Sequence, residues 1–131
     1  MGENEPCKVV VCDFTDAINN LPEKLSEIGF KVEATHLVLV KPNICGLYHP
    51  SLDLLSSILE YLSPRVKLVT IGETGTIVCD PNRQFERLGV EAMLNRFGGR
   101  VNTADLSGDE LVEVKVPRPH AVEKIVLPKK L

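Results

Sequence analysis

"LVLVKPNICGLYHP", residues 37–50, decides how the chain is read. Four apolar residues, Leu37 to Val40, run straight into Lys41 and Pro42, and proline stops a strand ladder because it has no N–H to donate. Past Pro50, Leu52, Leu55, Leu59 and Leu62 recur at spacings of three and four, the stripe of a helix buried on one side, and Pro64 stands just beyond its end. The stretch therefore predicts strand, loop, helix.

The same alternation repeats on either side. "KVVVCDF" (Lys8 to Phe14), "VKLVTIG" (Val66 to Gly72) and "KIVL" (Lys124 to Leu127) are further β-branched or leucine-rich runs. Near-continuous apolar runs of this kind fit strands buried on both faces of a parallel sheet. Between the first two strand-like runs, Ile18, Leu21, Leu25 and Ile28 follow helical spacing, with Pro22 placing the regular start near Leu21 and Gly29 at the C-terminal position. A third helical pattern opens at "DPNRQF", where Asp80 is a good N-cap and Pro81 a good first residue. Gly89 interrupts it, and Val90, Met93, Leu94 and Phe97 carry on to Gly98 and Gly99, which predicts two short helices or one that bends. After these, Arg100 to Leu106 reads as a strand, Ser107 to Asp109 as a turn, and Leu111 to Pro117 as an alternating strand. Pro117 to His120 is expected to be extended and to leave the sheet.

The expected architecture is a single α/β domain over residues 1–131. It has a mainly parallel sheet in βαβαβα order with helices on its faces, then a short hairpin-like segment and a last strand.

Composition narrows the function classes. Of the 131 residues, 44% are hydrophobic and 25% charged, and the formal net charge is -3, so the basic footprint of a nucleic-acid binder is missing. The apolar runs are too short to span a membrane, and the acidic, polar start at Met1 to Pro6 does not read as a signal peptide. A cytoplasmic location is the expectation. In that compartment Cys7, Cys12, Cys45 and Cys79 are expected mostly as reduced thiols.

In open α/β sheets ligands sit beyond the carboxyl ends of the strands, which directs attention to the loops after Val40 and Ile71. The first offers the Lys41 cation, the Asn43 amide and His49 beside a helix start whose free amides attract anions. The second, "GETGTIVC", is neither a G-x-G-x-x-G nor a P-loop; Glu73 and Thr74 would line a pocket wall there. A small anionic metabolite or cofactor fragment is the ligand class these residues fit. Each feature also has an ordinary explanation: a proline that ends a strand, an asparagine in a turn, a histidine near a helix cap.

No C-x-x-C pair occurs. Cys45 and Cys79 fall at the same expected sheet end with His49 nearby, so a metal site using Cys45, Cys79 and His49 is one alternative, weighed against inert thiols. A second is a non-catalytic interaction module that docks a partner through an edge strand or the basic tail carrying Arg118, Lys124, Lys129 and Lys130.

The order "VLVKPN", "HPSLDLLSSILEYL", "VTIGETG", "FERLGVEAML" and "IVLPKK" resembles the N-terminal half of a prokaryotic family known as domain of unknown function 362, over Lys8 to Lys130. Members of that family are often joined to ferredoxin-like iron-sulfur domains, so the resemblance implies a redox-linked setting and an iron-sulfur domain or protein as partner, without specifying a reaction. Cluster-binding cysteine runs are missing, and no iron-sulfur cluster is expected within this segment. In such proteins the stretch similar to "LPKK" lies mid-domain, so the chain is expected to be a fragment or shortened version of a larger domain. Whether it is an enzyme stays open.

Overall fold

The computed structural model describes residues 8–46, 48–116 and 122–129. Its centre is a parallel three-stranded sheet in the order β1 (Leu37–Val40), β2 (Leu68–Glu73), β3 (Val101–Asp105). Register is carried by pairs such as Val38 with Val69 and Val69 with Val101. Helix α3 (Leu52–Leu62) connects β1 to β2, and α4 (Pro81–Arg87), α5 (Val90–Leu94) and a 3-10 turn connect β2 to β3.

The caps follow the sequence closely. The Ser51 hydroxyl accepts from the Leu54 amide at the start of α3, and the Asp80 carboxylate accepts from the Asn82 and Arg83 amides at the start of α4. Gly89 separates α4 from α5 at φ 75°, a left-handed conformation that glycine adopts without a Cβ penalty.

The parity of β2 decides where the core forms. Val69 and Ile71 point to one face and are fully buried with Leu55 and Leu59 of α3, Phe85 of α4, Val90 of α5 and Val101 of β3. Each fully buried side chain of this size contributes about 1.5–3 kcal/mol. On the opposite face, among the described residues, Leu37, Leu39, Leu68, Thr70, Asn102 and Ala104 share with Lys129 the lining of a groove of about 390 Å³, and Leu37 remains 70% exposed. Among the described residues the expectation of strands buried on both faces thus holds fully for one face only. A run of apolar residues records hydrophobicity on both sides of a strand, but a covering layer must also exist.

Two further expectations are corrected. Lys8 to Asp13 form no strand, and Phe14 opens α1 (Phe14–Asn19) instead. The first βα unit of the βαβαβα order is therefore replaced by two short helices, α1 and α2 (Leu21–Glu27), with Pro22 in the first turn of the second as its position predicts. β-branched composition does not supply the partner edge that a strand requires, and Val9 and Val11 stand 79% and 93% exposed. Likewise, the strand at Val101–Asp105 does not fold back on the next one. It completes the parallel sheet, while β4 (Leu111–Lys115) pairs antiparallel with β5 (Lys124–Pro128) as a separate two-stranded sheet. The extended segment expected at Pro117 to His120 lies outside the described residues, as do Arg118 and Lys130 of the basic tail.

The α1 and α2 helices are joined by an exposed polar cluster. Asp16 accepts from the Asn20 amide and pairs with Lys24 at 3.1 Å, contacts that hold its carboxyl below the usual carboxylate range, with the Asn20 bond the largest cause. A lowered folded-state value stabilises above the unfolded one and is lost as pH falls through the depressed value. We expect Asn20→Ala to move the Asp16 titration midpoint upward, read from its side-chain carboxyl shift by NMR.

Candidate functional site

The site is built where the carboxyl ends of β1, β2 and β3 meet. β2 ends in Glu73, which shares the inward parity of Val69 and Ile71 and is 1% exposed. A carboxylate in that position requires partners, and it has them from two loops. The Lys41 ammonium pairs with Oε1, the Ile44 amide donates to Oε2 at 2.7 Å, and the Thr74 amide donates to Oε1 at 2.8 Å. Glu73 therefore fastens the Lys41–Gly46 loop to the end of β2. Its oxygens are committed to this task, which makes it a positioning group.

Asn43 forms the corner of that loop at φ 56°, and its carbonyl accepts from the Gly46 amide at 3.1 Å. A Cβ on Gly46 would fall 2.6 Å from the Asn43 side-chain amide, so a larger residue there would have to displace that side chain. The turn directs Ile44 into the core, 3% exposed, and Cys45 toward the neighbouring loop.

There Cys45 is joined to Cys79 in a disulfide, with the two Cα atoms 5.6 Å apart. The expectation of reduced thiols is corrected for this pair: the compartment argument bears on average thiol chemistry, while the loop geometry brings these two sulfurs into bonding range. Because the sulfurs are bonded to each other, neither is a thiolate ligand, which removes two of the three residues of the metal alternative. No group of three or more His, Cys, Asp and Glu side chains is placed to hold a metal among the described residues. Cys12 is exposed and free.

His49, the third residue of that set, is exposed, and its Nδ1 lies 2.9 Å from the Pro50 carbonyl oxygen. The structure thus brings Lys41, Glu73 and Thr74 into one cluster, with Asn43 shaping the adjoining turn. No contact of His49 with that cluster is found among the described residues.

Beyond Glu73 the chain makes a tight turn in which Thr76 and Cys79 exchange backbone hydrogen bonds of 2.9 and 3.3 Å, leaving Ile77 and Val78 fully exposed at its tip. The Ser107 hydroxyl accepts from the Gly75 amide, and the Ser107 amide donates to Asp105 at 2.8 Å, which ties the turn to the end of β3. Between this turn, the exposed side of α4 and the end of β3 lies a cavity of about 830 Å³. Arg83 and Arg87, one helical turn apart, share its lining with Gln84, Thr76, Ser107, Asp105 and Asp80; Arg83 Nε lies 3.8 Å from Asp80 Oδ2, and Arg87 Nε donates to Gln84 Oε1 at 2.8 Å.

Sequence reasoning missed Arg83, Arg87 and Ser107. The two arginines lie in the helix that opens at Asp80, and their i, i+4 spacing just past a strand end is the one signal that could have found them. Ser107 gave no signal, because its place opposite Gly75 depends on β3 pairing with β2. Against known proteins, no family profile, no curated protein and no solved structure matches this chain.

Proposed function

We propose that the chain is a small-molecule-binding domain whose ligand carries a phosphate or carboxylate, held in the crevice beyond the carboxyl ends of β2 and β3. The observation that supports this reading is the cavity itself: about 830 Å³, at the sheet end where α/β folds bind ligands, with Arg83 and Arg87 on one wall. Guanidinium groups present planar, two-pronged donors that match carboxylate and phosphate oxygens. Thr76, Gln84 and Ser107 add hydroxyl and amide groups for the rest of the ligand, and Asp105 would accept from its hydroxyls.

Lys41, Asn43, Glu73 and Thr74 then act mainly from behind. Lys41 is 43% exposed at the side chain but is paired with Glu73, so its charge is already engaged. Their part is to fix the Lys41–Gly46 loop to the end of β2, and that loop is joined through Cys45 to Cys79 in the crevice wall. The family resemblance adds the wider setting, a domain of a larger redox-linked enzyme with an iron-sulfur partner.

Inorganic phosphate and citrate, titrated into isotope-labelled protein, should shift the amides of Gly75–Asp80, Arg83–Arg87 and Ser107. Replacing both arginines, Arg83→Ala with Arg87→Ala, should weaken the binding about tenfold or more, since each charge-assisted hydrogen bond contributes about 1.5–3 kcal/mol. Unmoved amides in all three segments would refute the reading.

A further inference from the structure

We propose that Cys45–Cys79 is a reversible thiol–disulfide exchange site, opened from the cavity by a dithiol, and that its state controls the anion crevice. The control half rests on the crevice reading above.

Two placements carry the inference. Cys79 lines the cavity, so a thiol that enters the crevice reaches this end of the bond. The bond also joins the two loops that make the sheet end. The Lys41–Gly46 loop has a second anchor at Glu73, through Lys41 and the Ile44 amide. The Gly75–Cys79 turn has much less: the Gly75 amide on Ser107, its own Thr76–Cys79 backbone pair, and a tip whose Ile77 and Val78 bury nothing. Cutting the disulfide therefore leaves one loop in place and frees the other. The freed loop is the crevice wall.

The exchange runs in two steps. One thiolate of the dithiol attacks Cys79 Sγ; the bond to Cys45 breaks, and Cys45 leaves as a thiolate that takes up a proton. The second thiol of the reagent, deprotonated, then attacks its own sulfur in the mixed disulfide, and Cys79 departs as a thiolate that is protonated in turn. Two electrons and two protons pass to the protein, and the dithiol ends as its disulfide.

The whole chain would be treated with dithiothreitol under native conditions, alkylated and peptide-mapped. In parallel, amide hydrogen exchange at Gly75–Cys79 and the affinity for inorganic phosphate would be read in three forms: oxidised, reduced, and the untreated Cys45→Ser/Cys79→Ser double variant. The expected results are alkylation of both Cys45 and Cys79 with the far-UV spectrum retained, and faster exchange at Gly75–Cys79. Phosphate binding should also be about tenfold weaker in both bond-free forms, the cost of re-ordering roughly one residue of the wall. Should the double variant fail to fold, the reduced natural sequence still gives every readout.

Cysteines that stay blocked to alkylation overturn the exchange site. Equal phosphate affinity or equal exchange rates with and without the bond overturn the control, while the crevice reading stands. If the oxidised protein binds no phosphate, the crevice reading falls, together with the control that rests on it, and labelling still decides whether the bond is exchangeable.

Discussion

Glu73→Ala should lower the unfolding free energy by about 3 kcal/mol and the melting temperature by about 10 °C. The carboxylate is 1% exposed and collects the Lys41 ammonium and the amides of Ile44 and Thr74. Its partners do not lose equally. Lys41 is 43% exposed at the side chain and returns to water, and Thr74 is exposed, so its amide can also be hydrated. Ile44 is 3% exposed, and its amide would be left buried without an acceptor beside the space of the missing side chain. That amide sets most of the cost. Glu73→Gln keeps one acceptor oxygen and should lose less. A double-mutant cycle with Lys41→Met should return a coupling of about 1 kcal/mol, because the ion pair is open to solvent on the lysine side. A Glu73→Ala protein within about 0.5 kcal/mol of the parent in urea unfolding would show that the loop is held by other means.

Removing the disulfide should have an effect of similar size through the other end of the equilibrium. The bond closes a loop with a sequence separation of 34, and the chain-entropy relation gives a stabilisation of about 3–4 kcal/mol from restricting the unfolded chain. The Cys45→Ser/Cys79→Ser variant should therefore unfold at lower urea. Its m-value should be larger as well, since an unlinked unfolded chain exposes more surface. A midpoint shift without a change in m would place the effect in the folded state instead. Because a domain of this size is held by about 5–15 kcal/mol, the fold should survive the loss, and the crevice experiments on the reduced protein remain interpretable.

How much of this was legible in the sequence depends on whether a feature is local. Asp80, Pro81 and Gly89 announced their caps and breaks through backbone chemistry that acts within one turn, and α4 and α5 begin and end where those residues stand, while Pro50 precedes the Ser51 cap of α3. Cys45 and Cys79 were placed at one sheet end by the strand-loop-helix order alone. Their bond was not legible, because it depends on where the Asn43 turn aims one loop relative to the next. The partnership of Lys41 with Glu73 was equally hidden, since 32 positions separate them and only the β1–β2 register brings them together.

By itself, then, the sequence determined the α/β class, the limits of the helices after β1 and β2 and the end of the sheet at which polar residues collect, because hydrophobic period, proline and glycine act on neighbouring residues. The tertiary structure alone decided that Lys8 to Asp13 stay out of the sheet, that Leu111–Lys115 pairs with Lys124–Pro128, that a groove lies along one sheet face, and that Arg83, Arg87 and Ser107 share a crevice. Each of these depends on which strand edge or covering layer a segment meets. That is a competition among distant partners, and no local pattern encodes its outcome.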